Sequence, residues 1–172
     1  MTDVQEELRR LRRKPLIESE RWPTNLESRS PELLEKFLPH RPPMLLVDEL
    51  VGWDKDEKSI VGKRYIGNDH LGLDGHFPGD PVVPGTLLVE MLGQIGVVLF
   101  GLLLQEEMED EFLEVRATKI LGAHFVGEVR PGGTVDLVVR ARKYDTFLGE
   151  CEAQALVDGR VVAAMMGEVM VG

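Results

Sequence analysis

One long apolar stretch, from Thr86 to Leu104, constrains the fold of this chain more than any other feature. Pro84 and Gly85 stand directly before it, and proline is tolerated in the first turn of a helix, so a helix is predicted to begin there. Nearly every position of the stretch is apolar, with no continuous polar face, which is typical of a helix surrounded by protein. The sequence therefore predicts a fold organised around one buried central helix.

A membrane span is the first alternative, because the stretch approaches the ~20 apolar residues that cross a bilayer. Glu90 and Gln94 would each be penalised in lipid, and no basic cluster flanks the stretch to orient it, so we expect no membrane span. The N-terminus opens with acidic residues and has no apolar segment, unlike a secretory signal. Together with a single cysteine, Cys151, which suits a reducing compartment, this predicts a cytoplasmic protein.

The remaining chain divides into an arm and one domain. Residues 1–30 are interpreted as a charged N-terminal arm or solvated helix, with five basic residues between Arg9 and Lys14, and residues 31–172 as a single domain. The formal net charge of -10 argues against nucleic acid as the main partner, since phosphate binding requires a basic surface.

Alternating apolar and polar residues predict a run of antiparallel strands after the central helix, and two before it. This order favours an α+β fold in which a sheet wraps around one helix. The last strand is apolar on both faces, which implies more burial than one helix provides, so we expect a subunit interface to cover the second face. The predicted elements are a short helix at 32–37 and strands at 44–51, 58–66, 113–129 (one strand or two), 134–144, 147–157 and 160–171.

A candidate catalytic set comprises His76, in a loop, and Glu90, in the first turns of the central helix. The helix N-terminus carries unpaired N–H groups, and the Gly85 amide is suited to a carbonyl oxygen that gains negative charge. A neutral imidazole at His76 would then remove a proton from the adjacent carbon. Glu90, if burial keeps it protonated, would protonate a leaving hydroxyl. These roles fit the elimination of water from a 3-hydroxy thioester.

Two other interpretations of these residues remain open at this point. A lone histidine is commonly a hydrogen-bonded structural residue, as His40 is also interpreted. The acidic and histidine residues of the loop form a second candidate, a metal site, although their spacing matches no usual ligand pattern. The residues of that candidate are Asp69, His70, Asp74 and His76.

The string GHFPGDPVVPGTLLVEMLGQ, with LPHRPPMLLVDEL upstream and HFVGEVRPGGTV downstream, resembles the 3-hydroxyacyl-[acyl carrier protein] dehydratases of fatty-acid synthesis. The resemblance runs from about Leu38 to Val171. It implies a hot-dog fold, dimers that join their sheets edge to edge, and active sites in which the histidine loop of one subunit faces the helix of the other. It also implies an acyl carrier protein as partner, a homodimer or trimer of dimers, and neither metal nor organic cofactor.

Carried over by position, the resemblance implies that His76 is the catalytic histidine, Glu90 the catalytic acid, Gly85 the amide that holds the thioester carbonyl, and Gln94 a residue that steadies Glu90. A branch that also isomerises its product usually has aspartate and cysteine where this chain has Glu90 and Thr86, which favours dehydration alone. The GDPVVPG and HFVGEV segments nevertheless look more like that branch.

The usual basic A-R-F-R-R stretch of the dehydratase-only branch is replaced here by residues 123–127, Ala-His-Phe-Val-Gly. Other cations would then have to meet an acidic carrier. The candidates are Lys63, Arg64, Arg116, Lys119, Arg130, Arg140, Arg142 and Lys143. The alternatives to a dehydratase are a hot-dog acyl thioesterase, which also places a carboxylate on the central helix, and a non-catalytic acyl-chain binder or assembly partner.

Overall fold

The computed structural model of the protein describes residues 4–26, 31–69, 71–107 and 114–172. Within these residues, six strands form one antiparallel sheet in the order β1-β2-β4-β5-β6-β3, which curls around the longest helix. The helices are α1 (Val4–Leu11), α2 (Pro31–Phe37) and α3 (Gly85–Glu107), with one 3-10 turn at Ser19–Arg21. The strands are β1 (Glu49–Asp54), β2 (Ser59–Tyr65), β3 (Val115–Phe125), β4 (Thr134–Tyr144), β5 (Leu148–Val157) and β6 (Arg160–Val171). The predicted α+β architecture is confirmed.

Helix α3 is the centre of the core, as its uniform apolarity predicts. The helix is long and apolar enough to cross a membrane, yet 78% of its most apolar window is buried inside the protein. The strands approach it closely because their inward side chains are small: Ala153 and Ala155 are fully buried, and a Cβ on Gly149 would lie 2.5 Å from the ring of Phe100. The burial of α3 within its own sheet therefore accounts for its composition.

The outer face of the sheet is covered by the N-terminal segment, which corrects the expectation of a solvated arm. Leu8 and Leu11 of α1 are buried against Ala164 and Met166 of β6. Farther along, Leu16, Ile17 and Trp22 pack on a second outer-face cluster, formed by Val61, Val138 and Leu156. The second apolar face of β6, which the sequence assigned to a subunit interface, is therefore buried within the chain at Ala164 and Met166, and Met170 near its end stays half exposed.

Gln154 of β5 fastens this segment to the sheet. Its side-chain oxygen accepts a hydrogen bond from the Leu16 amide at 2.6 Å, and its side-chain nitrogen donates to the carbonyls of Leu11 and Lys14. Nearby, Glu152 is almost fully buried and forms ion pairs with Arg10 of α1 and Arg140 of β4. Buried polar groups must find partners, and here the N-terminal segment supplies those of Gln154 and one of those of Glu152.

The prediction of a strand over 44–51 is wrong at its start, since β1 begins only at Glu49. Residues 44–46 instead follow a turn and hydrogen-bond to the side chain of Gln94, so their backbone groups are not available to a strand ladder. The stretch 113–129 holds one strand, β3, which ends at Phe125 and has irregular pairing between Ala117 and Lys119 and between Ile120 and Gly122. Leu113 lies outside the described residues.

Candidate active site

Gly85, predicted to present an amide to a substrate, is the first residue of α3. The structure shows no hydrogen bond from its amide to any other described residue, as expected of a helix N-terminus. A side chain at this position would collide with the protein, because an added Cβ would lie 2.8 Å from the ring of Phe125. The tip of α3 therefore offers an N–H donor beside an aromatic ring.

The loop before α3 fixes His76 in one orientation. Its Nδ1 lies 2.8 Å from the carbonyl oxygen of Val82. A carbonyl oxygen only accepts hydrogen bonds, so this contact places the ring proton on Nδ1 and leaves Nε2 with a free lone pair. The imidazole also stacks on Phe77, with ring centroids 4.1 Å apart. The geometry therefore gives His76 the form of a base that takes up a proton at Nε2.

The loop that carries His76 also contacts the segment between β3 and β4. Arg130 forms salt bridges with Asp80, which lies in the loop, and with Glu128. The hydrogen bond and charge of Arg130 hold the pKa of the Asp80 carboxyl below its usual range, and the two carboxylates raise the pKa of Arg130. A backbone bond of 2.8 Å from the Val83 amide to the Val129 carbonyl adds to this contact.

Glu90 projects from α3, and Gln94 holds it from the next turn. The Gln94 side-chain nitrogen donates to Oε1 of Glu90 at 2.9 Å. Gln94 itself is only 2% exposed, because it also bonds to the Met44 carbonyl at 2.7 Å and the Leu46 amide at 2.9 Å. Glu90 is less buried than the helix composition predicts, since 37% of its side chain is exposed in the single chain.

Two cavities meet at Glu90, and Gly93 and Ala117 line both of them. One has a volume of about 280 Å³ and extends between α3 and strands β3, β5 and β6. The other has a volume of about 720 Å³ and lies between α3, the end of α2 and the start of β3. Glu90 therefore stands at the junction of a narrow apolar cavity and a wider, more polar one.

His76 lines neither of these two cavities. The histidine that does reach Glu90 is His40, whose Nε2 lies 3.5 Å from Oε1 of Glu90 in the wider cavity. Sequence reasoning missed this neighbour, because the two residues lie fifty positions apart. Its only signal was the LPHRPP segment, where two prolines after Arg41 predict a fixed loop.

Among the described residues, no group of three or more histidine, cysteine or carboxylate side chains is placed to hold a metal ion. His70, one member of the loop cluster considered as a metal site, lies outside the described residues. The buried Cys151 lines the narrow cavity, and burial raises the pKa of its thiol to about 12. It is therefore a protonated, weakly reactive thiol at neutral pH.

Most of the cations considered for carrier docking are engaged in salt bridges within the chain. The exception among these eight is Lys119, which lies on β3 beside the narrow cavity and has no ion-pair partner among the described residues. The pairs are Lys63 with Asp136, Arg64 with Asp48, Arg116 with Glu114, Arg130 with Asp80, Arg140 with Glu152, Arg142 with Glu7 and Lys143 with Glu150.

Comparison with known families matches residues 38–166 to the model of the FabA-like domain. The chain belongs to the FabA-like family. The family resemblance of the sequence is thereby confirmed. The match includes the His76 loop, all of α3 and the His40 segment, and it excludes the N-terminal segment that covers the outer face of the sheet.

Curated relatives of this FabA-like chain are dehydratases by name. The 3-hydroxyacyl-[acyl-carrier-protein] dehydratase FabZ of Chlamydia trachomatis serovar L2 is 33% identical over 133 residues, covering 76% of this chain and 84% of the relative. The FabZ of Herpetosiphon aurantiacus is 40% identical over 127 residues, covering 74% of this chain and 86% of the relative.

Solved structures confirm the hot-dog architecture of this FabA-like chain. The dehydratase heterocomplex ApeI:P from Xenorhabdus doucetiae aligns with a TM-score of 0.63 and 19% identity, over 81% of this chain and 90% of that one. A mutant thioesterase from Pseudomonas aeruginosa aligns with a TM-score of 0.62 and 17% identity, over 81% and 91%. At these identities the likeness concerns the fold alone.

Proposed function

We propose that this protein is a 3-hydroxyacyl-[acyl carrier protein] dehydratase, which removes water from (3R)-3-hydroxyacyl thioesters to give trans-2-enoyl thioesters in fatty-acid or related lipid synthesis. The FabZ relatives, at up to 40% identity, support the reaction class. The observation that carries the proposal is the oriented pair of groups: His76 with its Nε2 lone pair free, and Glu90 held through one oxygen by Gln94.

The reaction needs three groups to act together on one substrate. The Gly85 amide holds the thioester oxygen and stabilises the negative charge that develops there. Nε2 of His76 removes a proton from C2, and the electron pair of that C–H bond forms the C2–C3 double bond. The C3–O bond breaks as Glu90 donates its proton to the departing hydroxyl, which leaves as water. Proton exchange with solvent then restores both residues.

The site is proposed to be shared between two copies of the chain. Glu90 lines two cavities of the described chain and His76 lines neither of them, which supports a site that a second copy completes. Strand β3 lies at an edge of the sheet, with pairing to β6 on one side only. Ile120 in its middle is 59% exposed, an apolar side chain beside unpaired backbone groups, which is a template for pairing with a second copy.

The narrow cavity beside Glu90 is proposed to take the acyl chain. Most of its wall is small or apolar, as a hydrocarbon chain requires, and Thr118, Lys119 and Glu168 also line it. A Cβ built on Gly93 would meet no atom within 4 Å, which shows that the backbone of α3 itself forms part of the wall. The other residues of the wall include Val89, Gly96, Ala117, Cys151 and Met165. No organic cofactor or metal is needed for this chemistry, and a cytoplasmic location is part of the proposal.

The test is incubation of the purified protein with a 3-hydroxyacyl thioester on acyl carrier protein and on coenzyme A. Enoyl thioester absorbance should rise without release of free thiol, and His76→Ala and Glu90→Gln should each abolish most of the rise. Release of thiol instead would identify a thioesterase, the function of the Pseudomonas aeruginosa protein with the similar fold. Wild-type turnover by His76→Ala would favour a non-catalytic binding role for the site.

A further inference from the structure

We infer that His40 is a positioning residue for Glu90, an inference that rests on the proposed function of that carboxyl. His40 lines the same cavity as Glu90, its Nε2 lies 3.5 Å from Oε1, and both side chains are about one-third exposed, at 31% and 37%. His40 would contact neither the reacting carbon nor the leaving hydroxyl. It would act by holding the Glu90 carboxyl in one orientation, with the proton of that carboxyl on Oε2.

The argument starts at Gln94, whose amide orientation is fixed by backbone groups of one loop. The Leu46 amide only donates and the Met44 carbonyl only accepts, so the oxygen of Gln94 faces Leu46 and its nitrogen faces Met44. The same nitrogen donates to Oε1 of Glu90. Oε1 therefore accepts from Gln94. The carbonyl oxygen of a carboxylic acid is a better acceptor than its hydroxyl oxygen, so a proton on the carboxyl is assigned to Oε2.

His40 approaches that same oxygen, which decides how its ring is protonated. A bare Nε2 lone pair opposite the lone pairs of Oε1 would be repulsive, so the contact requires a proton on Nε2. In the neutral ring Nδ1 is then a lone pair, and the structure shows Nδ1 buried without a partner among the described residues. Unpaired buried acceptors are better tolerated than unpaired N–H donors, so the second nitrogen agrees with this tautomer.

The Arg41 side chain fixes the backbone that carries His40. The Arg41 side chain donates to the carbonyl of His40 at 2.7 Å and to that of Leu38 at 2.9 Å. At 3.5 Å the contact from Nε2 to Oε1 is longer than a usual hydrogen bond, and such contacts in ligand-free catalytic sites tighten when substrate binds. With Gln94 and His40 both directed at Oε1, Oε2 is the oxygen left to give its proton to the substrate hydroxyl.

The first test is independent of activity. Nitrogen-15 NMR of the histidine rings in the full-length protein should show the His40 proton on Nε2, and Glu90→Ala should shift that resonance because its acceptor is removed. A proton on Nδ1, or no response to Glu90→Ala, would overturn the inference.

The second test compares His40→Ala with His40→Gln. The glutamine nitrogen can occupy the place of Nε2 and donate a hydrogen bond, but it cannot serve as a base. His40→Ala should lower kcat about tenfold with little change in KM, and His40→Gln should recover most of the loss. If His40→Gln were as slow as His40→Ala, the histidine would act by proton transfer, and the positioning role would be wrong.

A third comparison separates positioning from a structural role. In a Glu90→Gln background, measured by single turnover with excess enzyme, His40→Ala should cause no further loss, because its effect passes through the Glu90 carboxyl. A full additional loss in that background would overturn the inference. Absence of water elimination by the wild-type protein would instead refute the proposed function, while the NMR result would still decide the His40 contact.

Discussion

Two buried glutamines, one on α3 and one on β5 beneath the N-terminal segment, offer a matched pair for testing the Glu90 site. Gln94 bridges backbone groups at Met44 and Leu46, and Gln154 bridges backbone groups of the N-terminal segment; both side chains are almost fully buried. Replacement by methionine, which has a similar shape, leaves two backbone groups unpaired at Gln94 and three at Gln154. At about 1 kcal/mol for each lost bond, each variant should lose about 2 to 3 kcal/mol of stability.

The two variants should differ in catalysis, because only Gln94 also bonds to Glu90. Glu90 becomes negatively charged as it gives up its proton, and a hydrogen bond to a charged group is worth about 1.5 to 3 kcal/mol, so Gln94→Met should lower kcat by about tenfold to a hundredfold. Gln154→Met should keep wild-type kcat at temperatures where it is folded. Urea unfolding measures the first effect and enoyl formation the second. Equal losses of kcat in both variants would refute the claim that Gln94 acts through its bond to Glu90. A wild-type kcat in Gln94→Met would refute it as well.

Three further outcomes follow from the packing. Gly85→Ala places a methyl group 2.8 Å from the Phe125 ring and should therefore lower kcat/KM for enoyl formation. A Gly85→Ala/Phe125→Ala double variant should recover part of the loss. Unchanged kinetics of the single variant would contradict this prediction. Since burial raises the pKa of Cys151 to about 12, a thiol reagent at about pH 8 should label the folded protein far more slowly than the urea-unfolded one, and equal rates would count against it. Leu8→Ala should cost about 2 to 5 kcal/mol in urea unfolding, and a cost below about 1 kcal/mol would mean that α1 is not part of the stable fold.

The central helix and the later strands could be predicted because their signals are local. An apolar run after Pro84 and Gly85 marks where α3 begins, and regular alternation gives β4 and β6 the ends that were expected. The stretch 44–51 misled the prediction because a distant side chain, Gln94, takes backbone bonds that a strand would use. Hydrophobic periodicity indicates the secondary structure that a segment prefers. It does not indicate a distant side chain that competes for the hydrogen bonds of the same backbone.

The N-terminal segment also shows that a local sequence pattern does not reveal contacts with distant parts of the chain. Its basic run is typical of a solvated helix, yet Leu8 and Leu11 are buried on the sheet. The need for a cover was visible in the two apolar faces of β6, but nothing in the sequence identified the covering element as part of the same chain. His40 likewise reaches Glu90 only through the fold, so its contact with the predicted acid lay beyond local sequence patterns.

Mixed dimers test the shared site most directly. Differently tagged His76→Ala and Glu90→Gln chains would be produced together, and molecules carrying both tags isolated. If His76 of one copy works with Glu90 of the other, each mixed dimer has one intact site and should recover roughly half of the wild-type rate of enoyl formation, although each variant alone is inactive. If mixed dimers were as inactive as the two parents, the site would not be shared in this way, and the proposed mechanism would be contradicted.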